Sequence, residues 1–301
     1  MPTEYDRQPE GLPTDFPFLP SPQFQTPAGT PYLRAPGVHL ISRPEVNLGS
    51  VSEFLGGFDQ ALGFEQYLDD PTILPSGAQI CKFAGQTCYM SFGPKRTMNA
   101  DAQKYLENII TSGHGSVLEH ANYSFLLYGI SRSMTHELVR HRAGFGYSQL
   151  SQRYVSGKVL RFVERPEYAD DAELHLMFVE RIDWVAAKYE ALAKKLIGRQ
   201  KAGETILSAE QKTDLRKKVN QAARSLLPNE TEAPIVVTGN ARAWRHVIEM
   251  RASEHAETEI RLLAWRIFLC LRAIEPLIFD DYEGLNLPDG TKAVKTEFRK
   301  V

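Results

Sequence analysis

The sequence predicts an α+β domain, on three observations. Stretches of helical period outnumber extended runs, the extended runs are not spaced as a regular βαβ series, and no internal repeat is present. With 301 residues, 43% of them hydrophobic, the chain is long enough to bury a sizeable core. The first 44 residues hold ten of the 18 prolines. A segment such as Phe16 to Pro22 cannot hold a helix and reads as extended chain. Its aromatics, Phe16, Phe18, Phe24 and Tyr32, favour an arm docked on another surface, since disordered segments are poor in them. Residues 1–50 are therefore set apart as an arm, and 51–301 are read as one domain.

From residue 51 the elements follow in order. A short helix is expected near Val51 to Leu62 and another over Ala100 to Ser112. Ala121 to Ile130 is aromatic and apolar enough for a strand. A helix begins near Ser131 or Ser133 and carries Met134, Leu138 and Val139 on one side. Arg161 to Val163 is a second strand. Asp170 to Ile197 reads as a long amphipathic helix closed by Gly198. Ser208 to Gln211 has the pattern of a capping box, with Leu215, Val219, Ala222 and Leu226 at helical spacing until Pro228 stops the run. Pro234 to Thr238 is a short strand. Two helices, Asn240 to about Ala252 and His255 to Ile274, complete the domain, the last stopped by Pro276.

The formal net charge of −2 argues against a surface built wholesale for nucleic acid or an anionic membrane, while leaving room for a local basic pocket. Cys81, Cys88 and Cys270 are an odd number without close pairing, which suits a reducing compartment, and the protein is read as cytoplasmic. No run approaches the roughly 18 apolar residues of a membrane span, and the first residues lack the basic start and apolar block of a signal peptide.

Two segments are dense in hydrogen-bonding chemistry. Thr135 to Tyr154 carries His136, Glu137, Arg140, His141, Arg142, Ser148, Gln149, Ser151, Gln152, Arg153 and Tyr154. Guanidinium forks suit phosphate, and Ser and Gln offer neutral donors and acceptors to a base or sugar. Any one of these residues is explained as well by a solvated helix end. The cluster is not, because Gly144 and Gly146 provide a flexible turn where backbone approaches a ligand closely. His136 and His141 are five residues apart, about 140° around a helix, so the pair does not share a face for one zinc ion, and no metal site is expected. Ser151 lacks the strand-turn-helix elbow of a nucleophile, and no glycine-rich dinucleotide or phosphate loop is present. The second segment holds Asn240, Ala241, Arg242, Arg245, His246, Arg251 and His255. Helical spacing puts Arg242, Arg245 and His246 on one side and stacks Arg251 and His255 one turn apart. Two basic clusters in an acidic chain suggest two walls of one anionic pocket. A nucleic-acid groove is the rival, disfavoured because no aromatic-basic alternation recurs.

These residues resemble a known family. Arg140-His141-Arg142, eight residues, then Ser151 is similar to the signature of the flavin-dependent thymidylate synthases, and His114 to His120, Arg224, and Asn240 through Arg251 and His255 agree in type and order. The resemblance spans about residues 78 to 275. It implies the thymidylate synthase-complementing protein fold, helices around a small, mostly antiparallel sheet, in a homotetramer with active sites where subunits meet. It further implies conversion of dUMP to dTMP with FAD as cofactor, NADPH as reductant and 5,10-methylenetetrahydrofolate as one-carbon donor, with tetrahydrofolate released. By the same resemblance Ser116, Arg140, His141, Arg142, Gln149, Asn240, Ala241, Arg242 and His246 contact FAD. Glu137, Leu138, Val139, Arg140, Gln149, Leu150, Ser151, Gln152, Arg153, Arg224 and Arg251 contact dUMP, and His114 lies on the folate side.

Those roles are physically consistent. Arg251 stays protonated and cannot be a general base, but it can stabilise negative charge on the uracil ring as N3 loses its proton. The catalytic role is therefore given to Arg251, with no protein nucleophile; Cys81, Cys88 and Cys270 lie outside the clusters and read as core or incidental. Gln149 stands where some members carry Glu and His246 where some carry Asn, and the first 75 residues have no counterpart in shorter members. Two alternatives stay open: a flavin- or nucleotide-binding protein without methyl transfer, and a nucleic-acid-binding module.

Overall fold

The computed structural model describes residues 12–155, 159–202 and 212–298. The strands are β1 (Phe18–Leu19), β2 (Gln23–Gln25), β3 (Pro31–Leu33), β4 (Gly37–Ser42), β5 (Asn122–Tyr128), β6 (Phe145–Gln149), β7 (Phe162–Val163), β8 (Ile235–Asn240), β9 (Glu283–Asn286) and β10 (Lys292–Lys295). Five of them form an antiparallel sheet in the order β1-β4-β5-β8-β6. In β5 the side chains of Tyr123, Phe125 and Leu127 are buried while the residues between them are not, the period of two of a strand with one face on a core. Ile235 and Val237 of β8 repeat the pattern beside them. The class is α+β, as expected, and among the described residues no helix is long and apolar enough to cross a membrane.

The helices are α1 (Leu48–Gly56), α2 (Ser76–Tyr89), α3 (Ala102–Thr111), α4 (Arg132–Leu138), α5 (Pro166–Ala169), α6 (Ala172–Lys201), α7 (Lys212–Ala223), α8 (Ala241–Arg251), α9 (Thr258–Ile274) and α10 (Pro276–Phe279). Buried positions run almost all the way round α9, which makes it the central helix of the molecule rather than a surface one. Two of its polar side chains make contacts that matter for the fold. Glu259 accepts from the backbone N–H and hydroxyl of Ser131, both at 2.6 Å, and Arg266 donates to the Pro36 and Pro20 carbonyls.

Arg266 thus fastens the proline-rich arm. β4 pairs with β5 and β1 with β4, so the arm extends the main sheet, while β2, β3 and β7 form a second, smaller one. Tyr32 stands edge-on to Phe178 of α6, and Arg34 donates to the fully buried Glu164 at 2.6 Å.

Some elements differ from the sequence reading. The helix near Val51 ends at Gly56, with separate 3₁₀ turns following. α6 runs through Gly198, and α9 starts only at Thr258 because Glu257 caps it. The expected capping box at Ser208 to Gln211 lies outside the described residues. α2 has no counterpart in the reading, since Gly77 and Gly85 weaken its helical signal. Both glycines are demanded by packing. A Cβ at Gly77 would sit 1.9 Å from the Tyr123 hydroxyl, and one at Gly85 would sit 2.2 Å from that of Tyr105.

Candidate active site

The site is built where α4 runs into β6 and β8 runs into α8. Ser131 caps α4, its hydroxyl accepting from Met134 N at 3.1 Å, and Glu259 holds that serine from behind. The helix stops at Leu138, and the chain turns through residues 139–144, where Gly144 adopts φ +77°. Gly146 is not part of the turn. It lies within β6 opposite Thr238, so only Gly144 supplies the conformational freedom expected of the pair. The Tyr147 hydroxyl packs against the carbonyls of Leu138 and His141, tying β6 back to the end of α4. Asn240 is at once the last residue of β8 and the cap of α8, its side chain accepting from Ala243 N at 2.8 Å.

Arg251, at the last turn of α8, meets the end of α4. Its Nε donates to His141 Nε2 at 3.0 Å and one terminal nitrogen donates to Glu137 at 2.8 Å. Guanidinium is always a donor, so His141 Nε2 carries no proton and the imidazole is neutral, protonated on Nδ1. Burial, the Arg251 charge and neighbouring His246 push the His141 pKa down to about 4, in agreement with that tautomer. The His246 ring stands edge-on to His141, with centroids 5.6 Å apart.

At the other end of α8 a cavity of about 420 Å³ is lined by Gly144, Asn240, Arg242 and His246, with Glu119 on its rim. A second, of about 380 Å³, is lined by His114, Gly115 and Ser116. Arg242 belongs to both and is paired with Glu119 at 2.6 Å, so the two read as one long groove. Cys88 also lines the second cavity, whereas the sequence reading set every cysteine apart; Cys81 and Cys270 are buried.

The match to the family model is decisive for ancestry: residues 72–277 fit the family described as thymidylate synthase complementing protein. The chain belongs to the thymidylate synthase complementing protein family. Membership makes it an enzyme of the methyltransferase class. It is 49% identical over 217 residues to a flavin-dependent thymidylate synthase of Mycobacterium tuberculosis (strain ATCC 25618 / H37Rv), covering 72% of this chain and 84% of that one. The protein of the same name from Mycobacterium sp. (strain KMS) is 49% identical over 221 residues, covering 73% and 85%. Among solved structures, the UMP/dUMP methylase PolB of Streptomyces cacaoi, bound with 5-Br dUMP, superposes with a TM-score of 0.54 over 82% of this chain and 94% of that one. At 16% identity this likeness speaks for the fold alone.

Within this family member, the residues singled out in the sequence do not all converge. Ser116, Asn240, Arg242 and His246 share the groove with His114, and Arg140 and Arg142 are exposed on the turn beside it. Ala241 is turned away: its side chain is buried and its N–H donates to the Ala121 carbonyl at 2.8 Å. Leu138 is fully buried, so only its backbone faces the turn, while Val139 is exposed. Gln149 donates to Thr135 Oγ1 at 2.8 Å. Leu150 and Gln152 line a separate, largely apolar cavity of about 350 Å³. The Ser151 hydroxyl accepts from the backbone of Arg153, whose guanidinium lies 5.7 Å from the Tyr154 ring centre. Lys217 of α7 lies 5.1 Å from the same ring, and Arg224 follows in the turn after α7. Among the described residues no hydrogen bond or ion pair joins Arg153 or Arg224 to Arg251.

Two residues depart from the expected second cluster. Arg245 does not share a face with Arg242 and His246 in function: its buried guanidinium binds Asp281 in bidentate fashion and the Ile278 carbonyl. His255 lies beyond the end of α8, exposed, 3.7 Å from Glu254. Tyr147 and Glu119 were missed. Both stand inside the recognised motifs, and only their contacts reveal what they hold.

Proposed function

We propose that this chain is a flavin-dependent thymidylate synthase. It converts dUMP to dTMP, takes the one-carbon unit from 5,10-methylenetetrahydrofolate and electrons from NADPH through bound FAD, and releases tetrahydrofolate. The observation that carries the reading is Arg251 held between Glu137 and His141 at one end of α8, with the groove of Asn240 and Arg242 at the other. The names of its relatives, at 49% identity, support it.

The groove suits FAD chemically. It is long, it offers the Arg242 guanidinium, the His246 imidazole and the Ser116 hydroxyl as donors, and its floor at Gly144 is bare backbone. A Cβ at Gly144 would lie 2.7 Å from Asn240 Nδ2 and 2.9 Å from the Ala243 Cβ. When bound, FAD would supply the two-electron chemistry, taking reducing equivalents from NADPH and passing a hydride to the pyrimidine.

The chain's own residues supply binding and charge. Arg251 presents a permanent positive charge to the uracil ring and stabilises the anion left when N3 loses its proton. Arg153, Arg224, Ser151 and Gln152 take the phosphate and sugar. In this reading copies in a homotetramer complete each site at their interfaces, as the family resemblance implies. No protein nucleophile is needed. Burial pushes the Cys81 and Cys270 thiols up to about 12, where the thiolate is scarce.

The test is dTMP formation by FAD-loaded protein from dUMP, with each of NADPH and methylenetetrahydrofolate omitted in turn, alongside the mass of the particle in solution. Turnover dependent on both co-substrates is expected from a tetramer. Protein that binds dUMP and FAD yet forms no dTMP would leave only the binding function.

A further inference from the structure

The proline-rich arm and Arg224 meet in one small core, apart from the main one. We infer that the β2–β3 hairpin of the arm is a positioning element for Arg224: it holds the turn that presents this guanidinium to the substrate phosphate. The inference rests on the dUMP-methylating reading above.

The cofactor groove and Arg251 are carried by β8 and α8, whose apolar side chains belong to the main core. Arg224 is carried differently. It lies in a three-residue 3₁₀ turn, Arg224–Leu226, none of whose residues is buried, so the turn cannot seat itself. Its seat is Leu227, which packs on a separate core of Tyr32, Phe162, Phe178, Ile182 and Val185. Tyr32 comes from the hairpin, Phe162 from β7 and the other three from α6.

Two routes lead from the hairpin to the chain just after Arg224. The first runs through the small sheet: Tyr32 is in register with Phe162, Phe162 bridges to Thr231, and the Val163 N–H donates to the Glu230 carbonyl at 2.8 Å. The second runs through α6. The Thr26 hydroxyl accepts from Thr30 N at 3.0 Å, which closes the hairpin turn, and donates to Asp183 at 2.6 Å, which pins that turn to the helix. Arg181 of the same helix then grips the Glu230 carboxylate with two nitrogens, each at 2.7 Å. Both routes end within residues 227–231. A planar fork meets a phosphate well only where its stem is correctly rooted, so a shift of that root is read as lost affinity. The hairpin also faces the substrate loop, since Pro31 lines the same cavity of about 350 Å³ as Leu150, Gln152 and Leu227. It lies outside residues 72–277, so this support is added by the arm rather than by the domain that the family model matches.

The experiment uses full-length, FAD-loaded protein carrying Tyr32→Ala, Tyr32→Phe, Asp183→Ala or Asp183→Asn. Affinities for dUMP and deoxyuridine are measured by calorimetry, FAD affinity by flavin fluorescence, and KM and kcat from dTMP formation. Tyr32→Ala removes the ring beside Phe162 and Phe178 and should weaken dUMP binding about tenfold, the scale of a lost hydrogen bond to a charged group. Asp183→Ala frees the hairpin turn from α6 and should weaken it about threefold. Deoxyuridine affinity, FAD affinity and kcat should each stay within about twofold of wild type, the pattern of lost uniform binding. Tyr32→Phe keeps the ring and Asp183→Asn keeps an acceptor, so both should restore most of the loss. In an Arg224→Ala background Tyr32→Ala should weaken dUMP binding no further, because the two act as one unit. Equal losses for dUMP and deoxyuridine, a loss of FAD, or full additivity with Arg224→Ala would reduce the hairpin to a stability element. Should Tyr32→Ala fail to fold, Asp183→Ala decides alone, and unchanged dUMP affinity in it overturns the inference. Wild-type protein that binds no dUMP would sink the underlying reading instead, and that is seen separately.

Discussion

Two groups of cations in this molecule are held in opposite ways. Arg251 is held from within the chain, by a carboxylate, a neutral imidazole and, through Tyr147, the sheet itself. Among the described residues Arg153 and Lys217 share nothing firmer than the exposed ring of Tyr154, at 5.7 and 5.1 Å, and Arg153 Nε is buried without a hydrogen-bond partner there. The first arrangement is preorganised, so little ordering remains when a ligand arrives. The second holds its cations more loosely. The difference teaches that residue type alone does not separate a preorganised arginine from a loosely held one; the partners do.

The largest effect that would break this contrast is at Arg251. Arg251→Ala should reduce turnover roughly a hundred- to a thousandfold, the scale of losing a preorganised electrostatic donor, while circular dichroism stays native. Wild-type turnover would place the charge elsewhere. Next comes Gly144→Ala, which forces a Cβ into Asn240 and Ala243 at φ +77°; FAD affinity by fluorescence titration should fall about tenfold, with about 1–2 kcal/mol lost in stability. Unchanged affinity would show that the groove floor is not the cofactor's.

Tyr154→Leu removes the ring both cations lean on. A loss of about threefold in dUMP affinity with deoxyuridine affinity unchanged is expected, in line with an exposed cation–π contact. An equal loss for both ligands would place the ring at the base.

The smallest effect is in pH. His141 has its pKa lowered from 6.5 to about 4, so between those values the unfolded chain binds a proton that the folded chain refuses. Stability contributed by this site therefore falls as pH drops from 6.5 toward 4, and is constant above 6.5. Burial sets it first, followed by the Arg251 charge and His246. Titration of His141 by NMR with a midpoint near 6.5 would undo the assignment of a neutral acceptor.

Much of the scaffold was legible because its signals are local. Ser131 and Asn240 announce the starts of α4 and α8 through their side chains, and β5 and β8 are short apolar runs. β6 was not, because Gly144, Gly146 and the basic residues around them read as a turn until Thr238 and Val237 are seen across from them. α2 was hidden by glycines whose reason is tertiary, and the arm's strands by prolines that local rules keep out of sheet centres but allow at edges. In the site, residue types and their order were readable, whereas direction was not. Nothing in the spacing of Arg242, Arg245 and His246 tells that Asp281 claims Arg245.

The joint at Asn240 has a further consequence. With no residue between strand and helix, α8 has no slack at its root, and it behaves as a ruler planted on the sheet. Arg242 in the groove and Arg251 beside His141 are nine residues apart on it, about 14 Å of helix rise. The spacing between the groove and the Arg251 guanidinium is thus written in a residue count. Adding or removing one residue within α8 would swing Arg251 by about 100° away from Glu137 and His141, so substitutions there can be absorbed while length cannot.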